Sequence, residues 1–136
     1  MKVAFTTEDG VHVDSHFGWA KQIAIFDVYP DTFRFLSNVE FAGDLKEDGS
    51  EDKILPKLEA IADCAILYVS AIGGSAAARV IAKNIHPVKV AETAVIDDIL
   101  VQLQKVLSGT PPPWLRKALH KGQKRELNFE DEVIYG

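Results

Sequence analysis

The chain has 136 residues, 47% of them hydrophobic and 26% charged, with a formal charge of −5, which is enough material for one soluble domain with a real core. The acidic balance argues against non-specific nucleic-acid binding, no apolar run approaches the ~20 residues that span a bilayer, and the opening Met1-Lys2-Val3-Ala4-Phe5-Thr6-Thr7-Glu8, with its lone lysine and early acid, does not read as a signal peptide. The single cysteine, Cys64, rules out an internal disulfide framework and suits a reducing cytosol; it also rules out a cysteine-only iron–sulfur site, which takes about four thiolates.

Lys2 to Thr6 predicts a first strand, and Asp9-Gly10 a turn. Val11 and Val13 alternate around His12, so His12 and Asp14 are expected on one face. Gly18 to Lys21 reads as a single helical turn. Gln22 to Tyr29 is a strongly apolar strand, Pro30-Asp31 breaks it, and Thr32 to Phe41 returns as the second arm of a hairpin. Gly43 to Asp52 is acidic and glycine-containing, a surface loop. Ser50 then reads as an N-cap for a helix from about Glu51 to Ala62; alternatively the helix begins near Ile54, with Pro56 in its first turn.

The continuous apolar run Cys64 to Val69 predicts a central strand buried on both faces. Gly73-Gly74-Ser75 follows, then a helix from Ala76 to Ile85 and a shorter strand from Pro87 to Ala91. Ile96 to Leu107 places Ile96, Ile99, Leu100, Leu103 and Leu107 at core spacing on a helix, with Asp97 and Asp98 at its start, where the helix dipole favours acids. Ser108 to Pro113 ends regular structure with a stiff triple proline. Trp114 to Arg125 then carries five cations and no acid in an amphipathic pattern, and the tail from Glu126 is acidic again. The chain divides into an α/β domain over 1–109 and a proline-rich linker, basic segment and acidic tail over 110–136, with no internal repeat.

Val13-Asp14-Ser15-His16-Phe17-Gly18 holds the most chemistry. An imidazole on such a loop can titrate near neutrality or donate a lone pair to a metal; it can equally be held by backbone hydrogen bonds. His12 lies four residues before His16, a spacing that aligns side chains on a helix but not on a strand and loop. A zinc site would still lack about two ligands, so His12 is expected as an exposed strand residue. Gly73-Gly74-Ser75 opens a helix whose first amides can meet an anion, but no GxGxxG or GxxxxGK[ST] accompanies it. A triad of Ser70 or Ser75, His16 and Asp27 can be written on paper, without a GxSxG elbow to support it.

From Lys2-Val3-Ala4-Phe5 through Asp9-Gly10 to His16-Phe17-Gly18-Trp19-Ala20, the chain resembles the signature of the dinitrogenase iron–molybdenum cofactor family. Ala62 to Val69 with Ile72-Gly73-Gly74, Ala76 to Val80 with Ile85-His86-Pro87, and Pro112-Pro113-Trp114-Leu115 continue the pattern in order, so the resemblance covers about residues 1 to 120. It implies an α/β fold with a mixed five-stranded sheet flanked by helices, of ribonuclease H-like character. It also implies a non-enzymatic, cytoplasmic, monomeric role in nitrogen fixation. The protein would bind an iron–sulfur precursor of the iron–molybdenum cofactor (a NifB-co-like cluster), or the mature cofactor, and pass it between maturation proteins of the NifB and NifEN type.

By the same resemblance His16 becomes a ligand or close contact to cluster iron, with Cys64 as a second contact. The amides of Gly73, Gly74 and Ser75, together with Arg79, would stabilise the anionic cluster. The chemistry suits a carrier: four thiolates would make a cluster resident, whereas one imidazole and at most one thiolate leave it exchangeable. Two rival readings remain open. One is metal-dependent phosphoryl transfer, which needs clustered carboxylates from Asp9, Asp14 and Asp27. The other is a cargo-free adaptor acting through Trp114–Arg125.

Overall fold

The computed structural model describes residues 1–41 and 54–120. Strands β1 (Lys2–Thr6), β2 (Gln22–Val28), β3 (Phe33–Glu40), β4 (Ile66–Val69) and β5 (His86–Lys89) form one five-stranded sheet in the order β3-β2-β1-β4-β5. β2 runs antiparallel to both β1 and β3, whereas β4 is parallel to β1 and β5 parallel to β4. This is the mixed α/β sheet the sequence predicts.

Period-two alternation in the two central strands feeds two cores. Val3 and Phe5 of β1 and Ile66 and Tyr68 of β4 face one side, where α3 (Ile96–Ser108) supplies Ile96, Leu100 and Leu103. Phe5 stacks on Tyr68 there, with ring centroids 5.2 Å apart. Ala4, Leu67 and Val69 face the other side, against Leu58 of α1 (Leu55–Ala60), Ile61 just after it, and Ala76 and Val80 of α2 (Gly74–Ala82). A further helix over 113–120 sends Leu115 and Ala118 into the α3 side, so the start of the basic segment is packed on the domain. The remainder of that segment, and the Gly43–Asp52 loop with the Ser50 cap, lie outside the described residues.

Several boundaries differ from expectation for identifiable reasons. The Val11–Val13 stretch is loop with an isolated bridge from His12 to Val95; Val13 N–H donates to the Ala94 carbonyl at 2.9 Å and its side chain is buried in the α3-side core. The helical turn expected at Gly18–Lys21 is a 3-10 turn at Phe17–Trp19, because the His16 side chain caps it. Pro56 occupies the first turn of α1, as in the later-starting alternative. Helix α2 starts at Gly74 and stops at Ala82, short of Ile85. Asn84 takes φ 62°, and its N–H and that of Ile85 bond back to Ile81 and Val80, a Schellman ending. β5 accordingly starts at His86 rather than Pro87, and it ends at Lys89 rather than Ala91. The hairpin is closed by the Tyr29 N–H donating to the Thr32 carbonyl at 2.8 Å. β3 lies at the sheet edge with most side chains exposed, which blurs its alternation.

Candidate functional site

The chain leaves β1 and β4 at the same end of the sheet, and the two departing loops are stitched together there. Ser70 N–H donates to the Ser15 carbonyl at 3.2 Å, and Phe17 N–H to the Ala71 carbonyl at 2.9 Å. Thr6 Oγ1 donates to the Ser15 carbonyl at 2.7 Å from below. His16 therefore sits beyond the carboxyl ends of two parallel strands, where α/β sheets commonly bind ligands.

His16 is the N-cap of the Phe17–Trp19 turn, and its Nδ1 accepts the Gly18 N–H at 2.9 Å. A Cβ on Gly18 would lie 3.4 Å from both Nδ1 and Cε1 of the ring, so the imidazole rests on the bare glycine. Beneath the turn lies Lys57, fully buried. Its Nζ donates to the Gly18 carbonyl at 2.8 Å and stands 5.6 Å from the centroid of the Phe41 ring. Burial, and then the positive charge of Lys57, hold the His16 pKa below the usual histidine value. A neutral imidazole has one donor and one acceptor nitrogen. With Nδ1 accepting, the proton belongs on Nε2. Among the described residues no buried side-chain nitrogen lacks a partner, and none of those residues bonds Nε2, so that nitrogen is open to solvent.

The other expected site residues divide between the two ends of the sheet. Gly73, Gly74 and Ser75 are exposed at the start of α2. They follow the Ser70–Ala71 stitch directly and so share the His16 end; no side chain caps α2 there. Arg79 lies four residues beyond Ser75 and so on the same face of α2. Cys64 is elsewhere. It is 1% exposed and packed in the α1–α2 core, and Ala65 N–H bonds to Lys2 at the start of β1. From Ala65 to Ser70 the strand rises roughly 17 Å at ~3.3 Å per residue, so Cys64 does not join His16 in one site.

The carboxylates do not converge either. Asp9 Oδ1 accepts the N–H groups of Val11 and His12, each at 2.8 Å, and Oδ2 meets His12 Nδ1 at 2.7 Å. These bonds, the His12 ones foremost, hold the Asp9 carboxyl well below the usual range. His12 is thus tied to Asp9 rather than presented on a strand. Asp14 accepts the Glu8 N–H at 2.8 Å. Asp27 lies at the opposite end of the sheet, bonded to the Met1 ammonium at 3.1 Å and to the Tyr29 hydroxyl at 2.7 Å. Burial alone would raise its pKa, but those two bonds outweigh it and bring the net shift down. No group of three metal-ligating His, Cys, Asp or Glu side chains occurs among the described residues. Placing Asp27 at the far end also separates the Ser–His–Asp triad.

Lys57 is the residue that sequence reasoning missed. Lysines are almost never fully buried, and nothing in Leu55-Pro56-Lys57-Leu58 marks this one as directed inward. Among the described residues no helix is long and apolar enough to cross a membrane.

Fold and site together define an α/β domain that presents one neutral imidazole on a capped turn, beside the opening of a helix. A sequence model of the family described as dinitrogenase iron-molybdenum cofactor matches residues 1–106. Protein NifX of Herbaspirillum seropedicae is 62% identical over 133 residues, covering 98% of this chain and 91% of that protein. Protein NifX of Azotobacter vinelandii is 40% identical, covering 98% and 84%. Protein NifY of Azotobacter vinelandii is 33% identical, and the match covers 95% of this chain but 52% of that longer protein. A solved structure, the crystal structure of PH0822, superposes with a TM-score of 0.60 at 22% identity, over 77% of this chain and 89% of that one; the likeness is one of fold. The chain belongs to the dinitrogenase iron–molybdenum cofactor family. That membership associates it with nitrogen fixation and with biosynthesis of the nitrogenase iron–molybdenum cofactor.

Proposed function

We propose that the chain is a non-catalytic cytoplasmic carrier. It binds an iron–sulfur precursor of the iron–molybdenum cofactor, or the mature cofactor, and passes it as a monomer between maturation proteins of the NifB and NifEN type. His16 makes the contact with the cargo. The amides of Gly73, Gly74 and Ser75, with Arg79 on the same helix, offset the negative charge of the cluster.

The observation that carries this reading is the solvent-facing Nε2 of His16 at the carboxyl end of β1 and β4, with the single cysteine at the other end of the sheet. A site with one imidazole and no thiolate holds a cluster without trapping it. The carboxylates of the rival phosphoryl-transfer reading are split between the two ends of the sheet, which speaks against a metal pair.

Anaerobic titration with purified precursor cluster, followed by iron and sulfide counting per chain, tests the reading. The wild-type chain takes up cluster, and His16→Ala, still folded, takes up far less. Normal uptake by His16→Ala would remove His16 from the site, and no uptake by the wild type would overturn the carrier.

A further inference from the structure

We propose that Lys57 is a positioning residue for His16. Through the Gly18 peptides it holds Nδ1 as an acceptor and turns Nε2–H outward, so the chain meets an anionic, sulfide-bearing ligand with a hydrogen-bond donor rather than with an iron ligand. The inference rests on the reading of His16 as the cargo contact and specifies how that contact is made.

A lysine removed from water is costly unless its ammonium is bound. Here the ammonium makes a charge-assisted bond of 2.8 Å to the Gly18 carbonyl of the turn. Phe41 adds a ring face 5.6 Å away. Helix α1 aims Lys57 inward together with its buried neighbour Leu58. Glycine is the residue least able to fix its own backbone, so the orientation of Gly18 has to come from its partners. On the carbonyl side that partner is Lys57; on the amide side the N–H points at His16 Nδ1, 2.9 Å away. Trp19 N–H, donating to the His16 carbonyl at 3.1 Å, closes the same turn.

The tautomer follows from the geometry. A neutral imidazole whose Nδ1 accepts a hydrogen bond carries its proton on Nε2 and has no lone pair there. Binding iron through Nε2 would require that proton to leave or to move to Nδ1, and a proton on Nδ1 would face the Gly18 N–H. Donation from Nε2–H to a cluster sulfide requires neither. Letting the cluster go then breaks a hydrogen bond and leaves the coordination of iron unchanged, which suits hand-over.

The test uses the full-length chain with isotope-labelled histidine. In the cluster-free protein, long-range proton–nitrogen correlation spectra should show His16 with Nε2 protonated and Nδ1 bare, in the wild type and in Lys57→Arg. Folded Lys57→Met should show a mixture of tautomers, and Gly18 amide exchange faster by tenfold or more. A wild-type His16 protonated on Nδ1 overturns the proposal. So does a folded Lys57→Met with unchanged tautomer and exchange. Should Lys57→Met fail to fold, the wild type still decides: a slowly exchanging Lys57 ammonium signal with a contact to Gly18 supports the role, and its absence overturns it. After anaerobic loading with precursor cluster, pulsed electron paramagnetic resonance should find only the weak nitrogen coupling of a hydrogen-bonded imidazole. Coupling of a directly bound nitrogen overturns the donor role while leaving the carrier intact. Failure to load, with the expected tautomer present, overturns the carrier and leaves the Lys57–His16 relation standing.

Discussion

The Gly18 N–H reaches back 2.9 Å to His16 Nδ1, two residues earlier, so a glycine decides which nitrogen of the imidazole faces solvent. The ring lies over the position a Cβ would take, 3.4 Å from it. Gly18→Ala should therefore displace the imidazole by a few tenths of an ångström while leaving the turn in place. The alanine also narrows the unfolded ensemble, an effect of about 0.4–1 kcal/mol in favour of folding. The expected outcome is nearly unchanged stability by urea denaturation, combined with weaker cluster uptake. A variant that unfolds easily, or one that loads normally, contradicts this account of the glycine.

Cys64 should be dispensable for cargo. It is buried at the amino-terminal end of β4, about a strand's length from His16. Cys64→Ala removes one sulfur from a packed core and should cost on the order of 1 kcal/mol of stability, with iron and sulfide per chain unchanged after anaerobic loading. A folded Cys64→Ala that no longer takes up cluster would mean that the sheet opens at that end to bind.

The residues that declared themselves in the sequence are those whose role is local. The continuous apolar run Cys64 to Val69 predicts a strand buried on both faces, and Ile66 and Leu67 do face the two different cores. His16 is conspicuous because it sits on a loop before a glycine. Helix ends set by one residue's backbone were harder to read: Asn84 at φ 62° ends α2 three residues early, and asparagine tolerates many other conformations. Lys57 and Cys64 were illegible for a different reason. Whether a lysine is buried under a loop, and at which end of a strand a cysteine lies relative to a histidine far off in sequence, depends on strand pairing. Nothing in the residue types near Lys57 encodes its bond to Gly18, 39 positions away.

Acid should loosen the domain through its histidines. Burial lowers the pKa of both His16 and His86, and Lys57 lowers that of His16 further. Above the ordinary histidine value of 6.5 both groups are neutral whether folded or unfolded, and they contribute no pH dependence. As the pH falls below 6.5 the unfolded chain takes up protons first, so stability declines until the pH passes the lowered folded values. Urea midpoints measured from neutral to mildly acidic pH should fall accordingly. His86→Gln should remove part of the slope, and a slope that survives replacement of both histidines would have another origin.

The helix over 113–120 is expected to stabilise the domain as well as to extend it. Leu115 is 1% exposed and packs in the α3-side core with Ile96, Leu100 and Leu103. Trp114 stacks on His86 with ring centroids 4.4 Å apart, which ties the same helix to the edge strand β5. Truncating a buried leucine to alanine typically costs about 2–5 kcal/mol, and Leu115→Ala should fall in that range. Cluster uptake by the folded variant should be unchanged, since this helix and the α1–α2 layer lie on opposite faces of the sheet. Urea denaturation followed by tryptophan fluorescence gives the stability change, with Trp19→Phe as the background so that Trp114 alone reports. A loss below about 0.5 kcal/mol would mean that the helix rests on the domain without being part of its core.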